Sequence, residues 1–298
     1  MQSINEIQSR LGGMQDIKHL LRSIRAMSAI RWRKAKQHLD LAQVYADKVD
    51  AQFGMMMAET GYRMPENFRR HVVQGSKKRT VGLITLTSDR GLCGNFNTGL
   101  VSKAISVTEI LNRKQKTVKI ISLGGYGERL FVNAGYEIFF SEKVPVAQAV
   151  SFVNIRKVVA HISAFYQSGA IDELNILYNQ FNYFGSYTPK SVQILPPQFP
   201  NGKHQPEPSD EKPIINSDPQ ALKFFLLWEH LAARLYLAYI ESTVSEHSAR
   251  LQTMDSAISN LEDRIAELDI QYHTIRQEKI TQEVLEVQSN IRNRMKTD

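Results

Sequence analysis

A single cysteine, Cys93, leaves this chain unable to form an internal disulfide or to build a thiolate metal cluster from its own residues, which fits a reducing compartment. No apolar run follows Met1. The opening segment mixes Arg, Lys, Gln and Asp with aliphatics at helical spacing, which does not resemble a signal peptide and predicts a cytosolic chain. No transmembrane span is predicted either. The most apolar stretch, Leu222 to Ile240, carries Glu229, His230 and Arg234 at its centre, where each charge would cost about 2.5–3.5 kcal/mol in a bilayer, so it predicts a buried helix. Basic residues interleaved with aromatics, zinc-finger spacings and RNP-like runs are also absent, and nothing beyond the net charge of +7 speaks for nucleic acid. What is present is ample apolar material, 42% of 298 residues, enough to exclude wholesale disorder.

The charge is unevenly placed. Between residues 10 and 36 stand Arg10, Lys18, Arg22, Arg25, Arg31, Arg33, Lys34 and Lys36 against the single acid Asp16, whereas residues 240 to 286 hold ten acids against Arg250, Arg264, Arg276 and Lys279. A basic helix lying along an acidic helix explains the asymmetry without an outside polyanion, and the basic surplus remains free to meet an acidic protein surface.

From Gln220 to Asp298 there is neither glycine nor proline, which predicts one very long helix, with Ser217 or Asp218 as its cap and Pro219 in its first turn. Inside it Leu251, Met254, Ile258, Leu261, Ile265, Leu268, Tyr272 and Ile275 alternate steps of three and four, a coiled-coil seam that requires a partner; the seam slips after Ile275 and resumes weakly at Ile280, Val284, Val287 and Ile291. The N-terminus supplies the partner through Ile4, Ile7, Leu11, Met14, Ile17, Leu21, Ile24 and Met27. Gly12 and Gly13 weaken that helix locally, by about 1 kcal/mol each relative to alanine, or allow close approach of another chain. Terminal helices that pair must leave everything between them as an insertion.

That insertion reads as α/β. Strands are predicted at 81–87, 118–123, 174–178 and 192–195, with helices near 97–112, 125–134 and 148–168 between them. The resulting fold class is α/β with long helices: an antiparallel two-helix coiled coil from the two termini plus an inserted small Rossmann-like domain. The predicted divisions are 1–78 for the N-terminal helical region, 79–197 for the α/β domain, 198–216 for a Pro-rich polar linker, and 217–298 for the long C-terminal helix.

Candidate chemistry is thin. The segment TSDRGLCGNFN, residues 87–97, follows an apolar strand, but no lysine or correctly placed hydroxyl follows Gly94, so it is no P-loop. Cys93 has no base near it in sequence, and a small buried thiol is the simpler reading than a nucleophile. Gly124-Gly125-Tyr126-Gly127 has the wrong spacing for a dinucleotide fingerprint and reads as a strand-to-helix turn. Glu229-His230 and Glu246-His247 do not form an H-E-x-x-H motif, so no metal, cofactor or catalytic residue is predicted. The run Arg31-Trp32-Arg33-Lys34-Ala35-Lys36 is either a solvated helix face or a docking face for an acidic protein surface.

Four segments resemble the gamma-subunit family of F-type ATP synthases. Arg33-Lys34-Ala35 sits where that family closes its first basic helical motif, and Ser88–Asn97 is similar to its D-R-G-L-C-G-G-x-N loop. Glu241-Ser242 with Ser245-Glu246-His247, Ala249-Arg250, Met254 and Asn260 resembles its C-terminal signature; Tyr272 with Arg276-Gln277 and Ile280-Thr281-Gln282-Glu283 resembles its tail. Departures are Asn95 in place of the second glycine, a long tail Gln288–Asp298 with Arg292, Arg294 and Lys296, and a divergent first helix at Gly12-Gly13-Met14 and Arg22–Met27 that resembles the alternate, sodium-linked branch. With Cys93 alone, there is no dithiol insert of the chloroplast kind.

The resemblance implies a rotating central shaft without catalytic residues of its own, coupling proton or sodium flow to ATP synthesis or hydrolysis in a hexamer of alpha and beta subunits. It also implies contact with the epsilon subunit and the membrane ring of c subunits, and a peripheral position on the cytoplasmic face of the bacterial inner membrane. It assigns hexamer contacts to Arg31, Arg33, Lys34, Asp89, Arg90, Cys93, Arg276, Gln277, Thr281 and Glu283. The competing readings are a coiled-coil scaffold, which would self-associate through Leu251–Ile275, and a nucleotide-binding switch of the α/β head, against which the missing phosphate loop argues.

Overall fold

The computed structural model describes residues 4–59, 79–143, 152–197 and 218–294. The predicted linker 198–216, residues 60–78 of the predicted N-terminal region and Ser217 lie outside the described residues. In chain order the elements are α1 (Ile4–Glu59), β1 (Thr80–Leu86), α2 (Phe96–Arg113), β2 (Thr117–Leu123), α3 (Gly125–Asn133), β3 (Ile138–Glu142), α4 (Phe152–Gln167), β4 (Glu173–Tyr183), β5 (Ser186–Leu195) and α5 (Pro219–Arg294). They fall into two compact units, Met1–Met27 with Leu251–Asp298, and Ser28–Arg250.

In the first unit the chain ends pair as antiparallel helices, and their opposite charges meet. Lys18 Nζ lies 2.8 Å and Arg22 Nη2 3.1 Å from Glu262 Oε1, and Arg25 bonds Asp255. Hydrogen bonding and charge from Lys18, then Arg22, hold the Glu262 carboxyl below its usual range. Every predicted seam position from Leu251 to Ile275 is wholly or partly buried, while Ile280, Val284 and Val287 are exposed, as the slipped seam implies. One expectation is corrected. Ile17 and Met27 point outward at 50% and 53% exposure, and Lys18 takes the inward position after Met14. A four-residue step from Met14 keeps the seam facing its partner, and the lysine stem covers apolar surface while its ammonium reaches Glu262. The helix runs on through Gly12 and Gly13, and a Cβ at either would meet nothing within 4 Å.

In the second unit a five-stranded sheet has the order β3-β2-β1-β4-β5, parallel except for β5, which is antiparallel to β4. Alternation along the strands sends residues to two cores. Leu83, Ile120 and Leu177 meet Leu100, Val101, Ala104 and Phe131 of α2 and α3 on one face. On the other, Ile84, Leu86, Ile121 and Leu123 meet Ile155, Val158 and Ile162 of α4, together with Ala42, Ala46 and Val49 of α1 and Leu227, Leu231 and Leu235 of α5. Asp218 caps α5, accepting the backbone N–H of Gln220 at 3.1 Å and of Ala221 at 3.2 Å, with Pro219 first in the helix. Three strands exceed the sequence reading: β3 is not predicted, β4 runs on from the expected 174–178 to Tyr183 because β5 pairs with it that far, and β5 begins at Ser186 because an edge strand tolerates Pro189.

Candidate functional site

The loop between β1 and α2 folds back on itself through its own polar groups. The Ser88 N–H donates to Asn97 Oδ1 at 2.9 Å, and Asn97 Nδ2 donates to Ser88 Oγ at 2.7 Å and to Cys93 Sγ at 3.2 Å. Leu92 and Gly94 take left-handed backbone angles, φ 64° and 57°, so the turn places the Cys93 side chain inside and leaves Leu92 58% exposed. Burial pushes the Cys93 thiol up, which makes it a poor nucleophile and fits the packed-thiol reading.

The same loop fills the N-terminus of α3. Asp89 Oδ1 accepts the Gly125 N–H at 2.9 Å, the Ser88 carbonyl accepts that of Tyr126 at 3.0 Å, and Thr87 Oγ1 accepts that of Gly127 at 3.2 Å. A Cβ at Gly124 would stand 2.2 Å from the Thr87 carbonyl oxygen at φ 124°, and one at Gly127 would stand 2.3 Å from Thr87 Oγ1. These glycines let the strand end touch the helix start. Donors that hold a phosphate in dinucleotide-binding sheets are here taken by the chain's own carboxylate, carbonyl and hydroxyl.

Strand order reverses between β1 and β4, and the crevice beyond the carboxyl ends of such strands is where open α/β sheets hold ligands. Here α5 occupies it. Ser242 Oγ donates to the Leu86 carbonyl at 3.4 Å, and Ala249 packs with Cys93 and Phe96. Arg250 donates through Nη2 to the carbonyls of Arg90 (3.4 Å) and Gly91 (3.3 Å), and through Nη1 to Glu246 Oε1 (2.7 Å) and His247 Nδ1 (3.2 Å). Burial raises the Glu246 carboxyl pKa despite the charge of Arg250. Burial, then the charges of Arg250 and Arg31, lower His247 to about 3, so it is a neutral acceptor at physiological pH.

The structure thus gathers Arg31, Asp89, Arg90 and Cys93 around Glu246, His247 and Arg250. Of the site residues expected from sequence, Cys93 is 1% exposed and Asp89 is engaged with Gly125, so both set the loop from behind. The Arg90, Arg33 and Lys34 side chains are exposed. Arg276, Gln277, Thr281 and Glu283 are also exposed, on α5 in the first unit; the Thr281 hydroxyl donates to the Gln277 carbonyl at 2.9 Å, and Lys279 lies 3.9 Å from Glu283.

Sequence reasoning missed a second polar cluster, at a cavity of about 300 Å³ lined by α1, β4, β5 and α5. Asp50 on α1 lies 2.6 Å from His230 Nδ1 and bonds Arg234, while the Tyr178 hydroxyl donates to Glu241 at 2.9 Å. Burial would raise the Asp50 carboxyl, but His230 and Arg234 outweigh it and hold the pKa below its usual value. The cavity charges named here pair with one another, so the cluster binds α1 to α5. The signal was the pair of polar residues four apart, His230 and Arg234, inside the most apolar stretch.

A sequence model described as ATP synthase matches residues 3–292. The ATP synthase gamma chain of Helicobacter pylori is 27% identical over 300 residues, covering 98% of this chain and 99% of that one. That of Symbiobacterium thermophilum is 28% identical over 284 residues, covering 94% of each. Among solved structures, a chain of Euglena gracilis mitochondrial ATP synthase (OSCP/F1/c-ring, rotational state 3) aligns with a TM-score of 0.63 at 17% identity, covering 97% of this chain and 93% of that one. A chain of the rotor from the same source (rotational state 1) gives 0.59 at 16% identity, covering 93% and 98%. These likenesses establish a shared fold, and because the sequence match takes in both long helices and the sheet inserted between them, the chain belongs to the ATP synthase family.

Proposed function

We infer that the chain is the gamma subunit of an F-type ATP synthase, the central shaft that couples ion flow through a membrane rotor to ATP synthesis or hydrolysis in an alpha/beta hexamer. The observation that carries this is the family match from residue 3 to residue 292, which leaves no described element outside it. The chain is non-catalytic in this reading. Support comes from the two places where a doubly wound sheet holds phosphate: Asp89 takes the helix terminus, and Ser242, Ala249 and Arg250 fill the crevice at the strand reversal. An asymmetric helix pair turning inside a pseudo-threefold hexamer favours a different conformation at each beta subunit, and so couples rotation to nucleotide affinity through differential contact energy.

Hexamer contacts are assigned to exposed Arg33, Lys34 and Arg90 near the loop and to Arg276, Gln277, Thr281 and Glu283 on the tail, with Arg31, Asp89 and Cys93 supporting the loop. The α/β body meets the epsilon subunit and the c ring on the cytoplasmic face of the membrane. No helix among the described residues is long and apolar enough to cross it. The scaffold alternative loses its motive, since the predicted seam Leu251–Ile275 is packed in this chain and tied to α1 by Lys18, Arg22 and Arg25. Co-expression with cognate alpha and beta subunits, size exclusion and an ATPase assay test the reading. One copy of this chain per three of each partner, with activity only when it is present, is the expected result; a chain that elutes alone or as a homodimer overturns it.

A further inference from the structure

Strand β4 outruns the sheet that carries it. Its pairing with β1 ends at Leu177, while its ladder with β5 continues to Tyr183↔Ser186. Residues 178–183 and their β5 partners therefore form a two-stranded arm about 20 Å long at ~3.3 Å per residue. Such an arm is marginal in water unless something holds it. Gly185, at φ 82°, closes the turn, and its N–H donates to Ser248 Oγ of α5 at 2.7 Å. Phe184 meets Trp32 of α1 edge to face, with centroids 5.5 Å apart and planes at 88°, and Lys36 Nζ stands 5.3 Å above the Phe181 ring. Opposite Phe181 on the same rung, Tyr187 packs on Phe96 of α2. One hairpin grips both long helices within this unit.

The grip lies at a telling level. Asp50 with His230 and Arg234 ties α1 to α5 at one point. From Asp50 back to Trp32, and from His230 forward to Ser248, is the same step of eighteen residues, about 27 Å along each helix. A helix held to a body at two separated levels resists twist better than one held at a single level; near Ser248 the loop after β1 already holds α5 through Arg250 and Ala249, and the hairpin adds the hold on α1 through Trp32 and Lys36. We propose that the β4–β5 hairpin is a torsional brace, with Trp32, Phe184 and Ser248 as positioning residues that make the sheet and the stretches of α1 and α5 within this unit turn as one piece.

The proposal rests on the shaft reading, and its test separates the two. In the reconstituted complex with cognate alpha and beta subunits, a bead is attached to the body through an azide-bearing residue in place of Ile110, exposed on α2, which leaves thiol chemistry for the cross-link, and angular fluctuation during catalytic pauses reports torsional stiffness. The probe variant adds Trp32→Cys and Phe184→Cys. It is measured first with these two thiols free, which removes the aromatic contact, and then joined by a short bis-maleimide, each thiol adding across one maleimide double bond, which restores the link covalently; Cys93 is buried and spared. Expected are full assembly and ATP turnover in both states, wider angular fluctuation than the parent when unjoined, and a return to the parent value when joined. Unchanged fluctuation when unjoined, or rotation arrested by joining, overturns the brace. A parent complex that assembles but does not rotate overturns the shaft reading instead. If the double variant does not assemble, Phe184→Leu, which removes the edge-to-face contact with Trp32 but keeps an apolar side chain, is measured in its place, and parent-like fluctuation there overturns the brace.

Discussion

Asp89 Oδ1 accepts the backbone N–H of Gly125 at 2.9 Å, so a carboxylate of the chain itself sits at the start of α3, where related sheets hold a phosphate. The bond joins the turn after β1 to the turn after β2. Asp89→Ala removes a cap and a favourable charge at the helix dipole, and is expected to cost about 1 kcal/mol, read as a lower urea midpoint with an unchanged slope. Asp89→Asn keeps an acceptor and is expected to lose less. Equal losses in the two variants would show that the hydrogen bond contributes nothing.

Arg250 and Glu246 form a pair in which both side chains are about nine-tenths buried. Removing one member of such a pair strands a charge, at about 3–5 kcal/mol. Arg250→Ala is expected to be the more damaging single change, because it also frees the carbonyls of Arg90 and Gly91. Glu246→Gln with Arg250→Met is expected to cost less than the two single changes added together. A double-mutant cycle in urea checks this, and strict additivity would sink the coupling.

His247 gives the folded protein an acid sensitivity with a definite sign. Its folded pKa of about 3 lies below the ordinary 6.5, so the unfolded chain takes up a proton first as pH falls, and stability present above pH 6.5 is lost progressively toward pH 3. Glu246 acts in the opposite sense, since its raised pKa adds stability at acid pH that is lost as pH rises through that value. Arg250 and Arg31 are the charges that disfavour protonation of His247. His247→Gln is therefore expected to flatten the decline between pH 6.5 and 4.5 by as much as about 1.4 kcal/mol per pH unit, measured by urea titration at several pH values. An identical pH profile in the variant would rule out this histidine as the source.

The long helices were legible because helix breakers are missing over long spans and because a seam repeats. Apolar identity marks Ile17 and Met27 as inward, yet their neighbours Lys18 and Ser28 are the covered residues, and Lys18 is held there by Glu262 across the interface. The parallel strands β1, β2 and β4 announced themselves as apolar runs, whereas β3 is a short, half-buried edge and the outer half of β5 is polar and contains a proline. The loop motif was found by resemblance, but its partner was not. Arg250 lies 160 residues from Arg90, and no local pattern encodes that contact.

The tail offers a clean separation of function from folding. Arg276 and Gln277 are exposed on α5, past the last well-covered seam residue, so replacing both with alanine removes no packed contact and, as alanine favours helix, is expected to change stability by no more than about 0.5 kcal/mol. If these side chains meet the moving loops of the beta subunits, the double variant loses contact energy only in the assembled complex. The expected outcome is an unchanged melting curve for the isolated chain, together with weaker assembly or lower torque and reduced coupling of ATP hydrolysis to ion pumping. Unchanged assembly, ATPase and pumping in the double variant would remove the assignment, and a fall in melting temperature would place the two residues in the fold.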